Sequence, residues 1–323
     1  MARSLTESLD NLYTTTWQHM RDEVIDQIFD ATPFWFWLKD KGKLKTENGG
    51  RYITEPLQYA KNESVSWIGK GGTVSMNDYE FLTTAKYDWK YLVGNLVRFG
   101  VDDQQNRGKA QIISLMNAKF ENTKNALVDE LEGKLFADTA TGNEIDGLQH
   151  LVADTVSDSV EVGGINQSTY TWWRNKTTTM TGLSSATYLV PKMRTMLHDC
   201  SNNLAMDMPD IIVSGQTPYE YYEDVAFDKY QVQNTRLAEM GFANQVFKGI
   251  PMIWSPSCDN GRMYFLNTRF LSFTYDPMMN FEMTEWKPIP DQVNDRAAQI
   301  ITAGTFMTSR RRCHGVLHTI DTA

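Results

Sequence analysis

The stretch Tyr79–Val93, YEFLTTAKYDWKYLV, decides how the rest of this chain is read. Its odd positions are Tyr79, Phe81, Thr83, Ala85, Tyr87, Trp89, Tyr91 and Val93, and its even positions are Glu80, Leu82, Thr84, Lys86, Asp88, Lys90 and Leu92. An apolar face and a polar face alternating over fifteen residues predict a β-strand, because successive side chains of a strand point to opposite sides. At a rise of roughly 3.3 Å per residue it would run about 50 Å, against a usual strand of ~5–6 residues. Arg51–Ala60 (RYITEPLQYA) supplies a partner strand upstream. Between the two lies a tip, Trp67-Ile68-Gly69-Lys70-Gly71-Gly72, whose glycines adopt positive φ at little cost. The expectation is a long β-hairpin with a flexible tip. A two-stranded ribbon is marginal in water, so its aromatic face needs a cover from outside the hairpin, and a neighbouring subunit is the simplest source. The tip residues 67–72, together with Tyr79, Phe81, Tyr87 and Trp89, are therefore the candidate inter-subunit contacts.

A long helix follows. Asp102 and Asp103 are good N-cap residues, and 104–138 contains no proline. Ile112, Met116, Phe120, Leu127, Leu131 and Leu135 fall at steps of 4, 4, 7, 4 and 4, which makes one apolar packing stripe. Thirty-five helical residues would span roughly 50 Å. Upstream, residues 1–45 read as an N-terminal arm. Within 7–31 a loose helical pattern includes Trp17, and Phe34-Trp35-Phe36-Trp37-Leu38 forms a short apolar cluster; the arm is expected to pack on something, another chain included. Downstream the pattern is mixed. Residues 183–204 look helical, with Pro191 kinking the helix or starting its second half. Asp210–Ser214 (DIIVS) reads as a buried strand, and Thr217-Pro218-Tyr219-Glu220 as a capping box. Phe247–Trp254 reads as a strand broken by punctuation and Met263–Tyr275 as another strand, with a turn at Asn260-Gly261, and the chain ends in a strand at Gly315–Ile320. No internal repeat stands out.

The 323 residues suffice for two domains or one large one. With 41% hydrophobic and 22% charged residues the composition is that of a globular protein. A net charge of −9 argues against specific nucleic-acid binding, which uses a basic field. No run approaches the ~18 apolar residues of a membrane span, and the first twenty residues lack the layout of a secretory signal. Cys200, Cys258 and Cys313 form neither a disulfide framework nor a CxxC pair. A soluble chain with reduced thiols is the expectation.

Chemistry is sparse. Trp67–Thr73 carries a Gly-Lys pair, but the lysine precedes Gly-Gly on a hairpin, not Ser or Thr before a helix. Cys313-His314…His318 and His198-Asp199-Cys200 hold metal-type ligands, yet neither supplies the roughly four that zinc needs. Ser214 lacks the first glycine of a nucleophile elbow. Asp102-Asp103 and Asp207/Asp210 suit caps and turns, and Arg310-Arg311-Arg312 suits a solvated face or an inter-subunit salt bridge. No catalytic constellation, cofactor site or metal site emerges, and the chain is not expected to be an enzyme.

The order of arm, long hairpin, long helix and compact α/β region resembles the HK97-like major capsid proteins of tailed bacteriophages, an α+β fold. Pro209–Ser214 followed by Tyr219…Tyr222, Phe247-Lys248-Gly249-Ile250-Pro251 and Tyr264-Phe265-Leu266-Asn267-Thr268 resemble that family's axial strand and helix, its F-x-G-x-P strand and its Y-x-L-N-T strand. The resemblance implies an N-terminal arm (1–45), an extended E-loop hairpin (46–100), a peripheral domain with its spine helix (101–180, helix 104–138), an axial domain (181–275), and a return through the peripheral domain to the terminal strand (276–323). It implies pentamers and hexamers that close into an icosahedral shell around double-stranded DNA, a separate scaffolding protein, a portal, in some relatives a decoration protein, and no membrane partner. The location implied is the virion shell, assembled in the bacterial cytoplasm. Some relatives cross-link subunits through Lys–Asn bonds; Lys61, Lys70, Lys86 and Lys90 lie near the hairpin, but lysines are common there by chance. The alternatives are an encapsulin-like compartment shell, or a soluble α/β enzyme with an unrecognised site.

Overall fold

A computed structural model describes residues 14–15, 17, 33–62, 64–73, 76–77, 79–100, 109–138, 142–201, 207–227, 245–292 and 295–320. In chain order these form helix α1 (Pro33–Asp40), strands β1 (Leu44–Thr46), β2 (Ile53–Gln58), β3 (Leu82–Tyr87) and β4 (Lys90–Arg98), and the long helix α2 (Lys109–Phe136). A single turn α3 (Leu148–Leu151), strands β5 (Glu161–Val162), β6 (Ile165–Asn166) and β7 (Lys176–Thr179), helix α4 (Ser185–Cys200), β8 (Ile211–Ser214) and helix α5 (Gln216–Phe227) come next. The chain closes with β9 (Gln245–Phe247), β10 (Ile250–Trp254), β11 (Met263–Leu266), β12 (Leu271–Tyr275), β13 (Glu282–Met283), β14 (Lys287–Pro288), β15 (Arg296–Thr308) and β16 (Gly315–His318).

Two six-stranded sheets organise these elements. In the first, the 13-residue β15 is the hub. It carries β4 along one edge, and β14, β13 and β12 in turn along the other, with β1 outside β12. The second runs β7-β16-β11-β8-β10-β9. Its strands send alternate residues into two different cores. Ile211, Val213, Ile253, Tyr264 and Val316 join the large core under the first sheet, and Ile212, Met252, Met263, Phe265 and Leu317 join a second core under α4 and α5. A strand covered on both faces reads as an unbroken apolar run, which is why Ile211-Ile212-Val213 shows no alternation.

The fifteen-residue alternation is not one strand. It breaks at Asp88-Trp89: β3 pairs with β2, Ile53 facing Tyr87, while β4 leaves the hairpin and pairs with β15. The buried side reverses at the break. Ala85 and Tyr87 are buried in β3, whereas Leu96 and Arg98 are buried in β4 and Tyr91 and Val93 face outward. The reversal follows from what lies against each strand. Helix α2 covers the even side of β4 so closely that a Cβ on Gly94 would sit 3.0 Å from Thr123 Cγ2. A side chain there would force the helix away.

Helix α2 buries Phe120, Leu127, Leu131 and Leu135 along the expected stripe; Asp102, Asp103 and the side chains of Ile112 and Met116 lie outside the described residues. Trp17 of the arm is spent inside its own chain, its ring 5.3 Å from that of Phe120 and its indole N–H donating to Phe281 O at 3.1 Å. Other sequence expectations need correction. The run Phe247–Trp254 is a hairpin, since Lys248 and Gly249 both take positive φ (48° and 85°), the signature of a type I′ turn. Met263–Tyr275 is two strands in two sheets, parted by a turn that Asp210 holds by accepting from Thr268 N at 2.8 Å and from the Thr268 hydroxyl. Helix α5 starts at Gln216, ahead of the expected cap Thr217, and Asn260 Oδ1 accepts from Gln216 N at 3.2 Å. Helix α4 runs through Pro191, whose exposed ring lies among its early turns.

A buried polar network ties the hairpin to both sheets. The Tyr87 hydroxyl donates to Thr308 O at 2.7 Å at the end of β15. His314 Nδ1 accepts from Asn267 N at 3.2 Å, so its Nε2 carries the proton toward Thr308 Oγ1 at 3.1 Å. Arg311, in the turn between β15 and β16, donates Nε–H to Leu151 O at 2.8 Å and Nη2–H to Asn175 Oδ1 at 3.2 Å. Burial, with the Arg311 charge added to it, pushes His314 down to about 3. The unfolded chain takes up that proton near the ordinary value of ~6.5 and the folded chain does not. Stability contributed by the neutral ring is therefore full above that value and is lost as pH falls from about 6.5 toward 3, at up to about 1.4 kcal/mol per pH unit. Chemical denaturation at pH 7 and pH 5 should show a smaller pH penalty for His314→Gln than for the parent chain; an equal penalty would place the titrating group elsewhere.

Candidate assembly surface

The hairpin β2–β3 ends in a loop that the described residues leave exposed. Pairing extends one step past the strands, Tyr59 N donating to Phe81 O at 3.0 Å. The chain then turns at Asn62, whose side-chain carbonyl accepts from Ser64 N at 2.9 Å. A second turn closes where Gly72 N meets Gly69 O at 3.0 Å, with Gly71 at φ +84°. Along this loop Val65 is 83%, Trp67 105% and Met76 96% exposed, and Ile68, Phe81 and Leu82 are exposed as well. Each such side chain gains about 1.5–3 kcal/mol when it leaves water. A cluster of them at the end of a ribbon is the kind of exposed apolar patch that marks protein–protein contacts.

The expected contact residues separate into two groups. Trp67, Ile68, Gly69, Lys70, Gly71, Gly72 and Phe81 are exposed on the loop, and Tyr79 is half-buried beside them. Tyr87 and Trp89 do not belong with them. Tyr87 is 2% exposed and packs in the main core of its own chain, where burial drives its hydroxyl well above the ordinary range. Trp89 packs half-buried against that core and donates its indole N–H to Gly50 O at 3.1 Å. Both sit at the root of the hairpin, where the chain covers its own aromatic rings. Sequence reasoning missed Tyr91 and Val93, exposed on β4 opposite Ala303 and Ile301 of β15. Only the reversal at Asp88 turns them outward, and nothing in the alternation announces it.

The remaining chemical candidates are structural. Burial raises all three thiols, Cys258 to about 12 and Cys313 to about 11, with Cys200 beyond the ordinary range, so none is a ready nucleophile. His314 precedes β16 and is fully buried, while His318 lies on the strand, so the pair shares no ligand face. His198 meets Lys248 across 3.4 Å. Among the described residues no group of three or more His, Cys, Asp or Glu is placed to hold a metal ion. Ser214 is buried in the second sheet with no hydrogen bond to its hydroxyl, and no base is positioned against it. Asp207 pairs with Arg310 at 2.9 Å and Asp210 holds the turn after β11. Arg262 bridges Asp154 at 2.7 Å and Asp259 at 3.1 Å, tying the segment after α3 to the second sheet.

No family model matches the sequence, and no curated protein matches it. Solved structures do match. The capsid asymmetric unit of cyanophage A-1(L) superposes with a TM-score of 0.62 at 15% identity, covering 86% of this chain and 90% of that one. The SrpI encapsulin of Synechococcus elongatus PCC 7942 gives 0.54 at 12% identity, covering 90% and 88%. The satellite phage P4 procapsid that includes the size determination (Sid) protein gives 0.52 at 12% identity, covering 99% and 92%. The chain therefore has the α+β, HK97-like shell fold.

The contrast between loop and root gives a direct expectation. Trp67→Ala should leave subunit stability within about 0.5 kcal/mol, as for an exposed position, whereas Tyr87→Ala should cost about 3–5 kcal/mol. Urea unfolding of the soluble subunit measures both; equal losses would mean that the loop is packed on its own chain.

Proposed function

We propose that this chain is the shell-building subunit of a tailed-phage capsid. Copies would assemble as pentamers and hexamers into an icosahedral shell that encloses a double-stranded DNA genome. The observation that carries this reading is the hairpin loop with Trp67 and its apolar neighbours wholly exposed on a fold whose solved examples are shells. A heterologous contact, loop onto neighbour, closes into rings when the rotation between subunits is right. The divisions that go with it are the arm (1–45), the E-loop hairpin (46–100), the peripheral domain (101–180), the axial domain (181–275) and the return (276–323). The second sheet would form the axial domain, borrowing β7 and β16 from outside 181–275. A separate scaffolding protein, a portal and a decoration protein are the proposed partners, and the virion shell, built in the bacterial cytoplasm, the proposed location. The role proposed is structural, on the likeness of the fold to shell proteins. A net charge of −9 suits a wall that confines DNA without adhering to it.

The likeness to an encapsulin supports a second reading, a shell around protein cargo. Negative-stain electron microscopy of the chain, expressed alone and with its neighbouring genes, should show closed shells, tubes or five- and six-membered rings. Nuclease-protected DNA in particles from the native source would support the capsid, and co-purifying protein in DNA-free particles the compartment. A subunit that stays single under both conditions overturns both.

A further inference from the structure

At the root of the hairpin the surface is cationic, although the chain as a whole is acidic. Arg269 and Arg310 both lie over the Phe270 ring, at 5.9 and 5.5 Å. Lys43 Nζ reaches Arg269 O at 3.4 Å, and burial together with the charges of Lys45 and Arg269 lowers its pKa. Next to them is a cleft of ≈ 480 Å³ whose walls include Glu55–Lys61, Trp172, Trp173, Phe270 and Arg310–Arg312. Carboxylates offset the patch in part: Glu55 lies 3.7 Å from Lys45 and Asp207 2.9 Å from Arg310.

Two features of this cleft call for an occupant. Arg311 is fully buried beneath it, and its hydrogen-bond partners, Leu151 O and Asn175 Oδ1, are neutral. Its Nη1 has no hydrogen-bond partner, and among the described residues no carboxylate lies within ion-pair distance. An uncompensated charge behind a low-dielectric wall projects a positive potential into the space it borders. The second feature is β2 itself, which pairs with β3 and with no other strand among the described residues. A free strand edge offers N–H and C=O groups to an extended segment.

We propose that this cleft receives a carboxylate-bearing segment of a second copy of this chain; the inference rests on the shell reading. Guanidinium forks match carboxylates in a bidentate geometry, and Trp172 and Phe270 take apolar side chains between them. With its cations gathered here, the rest of a chain of net charge −9 is more negative still, so a second copy supplies the anion. A DNA duplex presents its phosphates along a broad helical surface and does not enter a cleft of this size.

The test compares the parent chain with Lys61→Glu/Arg312→Glu and with the milder Lys61→Gln/Arg312→Gln, by sedimentation velocity and negative-stain microscopy at equal subunit concentration. The expected result is a fall in assembled fraction of about tenfold for the Glu pair and a smaller fall for the Gln pair. Near-ultraviolet circular dichroism of the subunit should not change. Parent assembly should weaken as salt shortens the screening length from ~10 Å at 0.1 M to ~3 Å at 1 M. Undiminished shells from the Glu pair overturn the cleft assignment and leave the shell reading standing; a parent chain that stays single overturns both. If the Glu pair does not fold, full assembly of the Gln pair overturns the inference. Binding of a labelled DNA duplex by the parent, lost in the Glu pair while assembly persists, assigns the patch to nucleic acid and also overturns it.

Discussion

The rest of the structure depends on a cation buried without an anion. Arg311 sits where β15 of the first sheet gives way to β16 of the second, in a turn that also touches the hairpin root through Thr308 and Tyr87. Burial lowers its pKa to about 10, so it remains charged in neutral solution. A buried charge costs several kcal/mol unless its donors are engaged, and Arg311 engages a backbone carbonyl before β5 and the side chain of Asn175 before β7. Those two acceptors have to stay where they are. Asn175 is in turn fixed by donating to Ala153 O at 2.8 Å. The guanidinium thereby holds three segments in register: its own turn, the end of α3 and the residue before β7.

Such a clamp is needed because the chain crosses between its two six-stranded sheets three times, first from β4 to β7. β11 and β12 are consecutive but belong to different sheets, as do β15 and β16. Neither sheet can leave without dragging strands of the other, and the large core is continuous from α1 and α2 through the first sheet to one face of the second. The interior is therefore committed to the fold. The groups left outside that interior are peripheral: a loop rich in exposed apolar side chains, a sheet face bearing Tyr91 and Val93, and a cationic cleft at the hairpin root.

Much of this was legible in the sequence. The pairing of residues 51–60 with the strand after the glycine tip and the stripe Phe120–Leu135 follow from periodicity, the buried strand at 211–214 from its unbroken apolar run, and the order of elements carried the resemblance to shell proteins. What periodicity cannot supply is sidedness. Alternation through Asp88 continues unbroken in the sequence, yet the covered side changes because β3 faces the main core with Tyr87 while β4 lies under α2. Nor does alternation tell who covers a face: Tyr87 and Trp89 are covered by their own chain. The same limit hid the division of Met263–Tyr275, since an apolar run does not tell which of two sheets will take each half; Asp210, distant in sequence, makes that choice. The cleft was invisible because Arg310–Arg312, Trp172 and Lys61 meet only in the fold.

The break at Asp88-Trp89 also sets the aim of the hairpin. The ribbon is held at its root by Tyr87 on Thr308, Trp89 on Gly50 and Lys86 N on Gly163 O, with Ile53, Leu57 and Ala85 buried in the main core, and the loop is carried on that base. Six residues of β3 reach ~20 Å from the pivot. A tilt of about ten degrees at the root therefore swings the strand end by ~3.5 Å, and the loop further still. Small adjustments at that packed root are amplified at the loop, where the exposed apolar side chains lie.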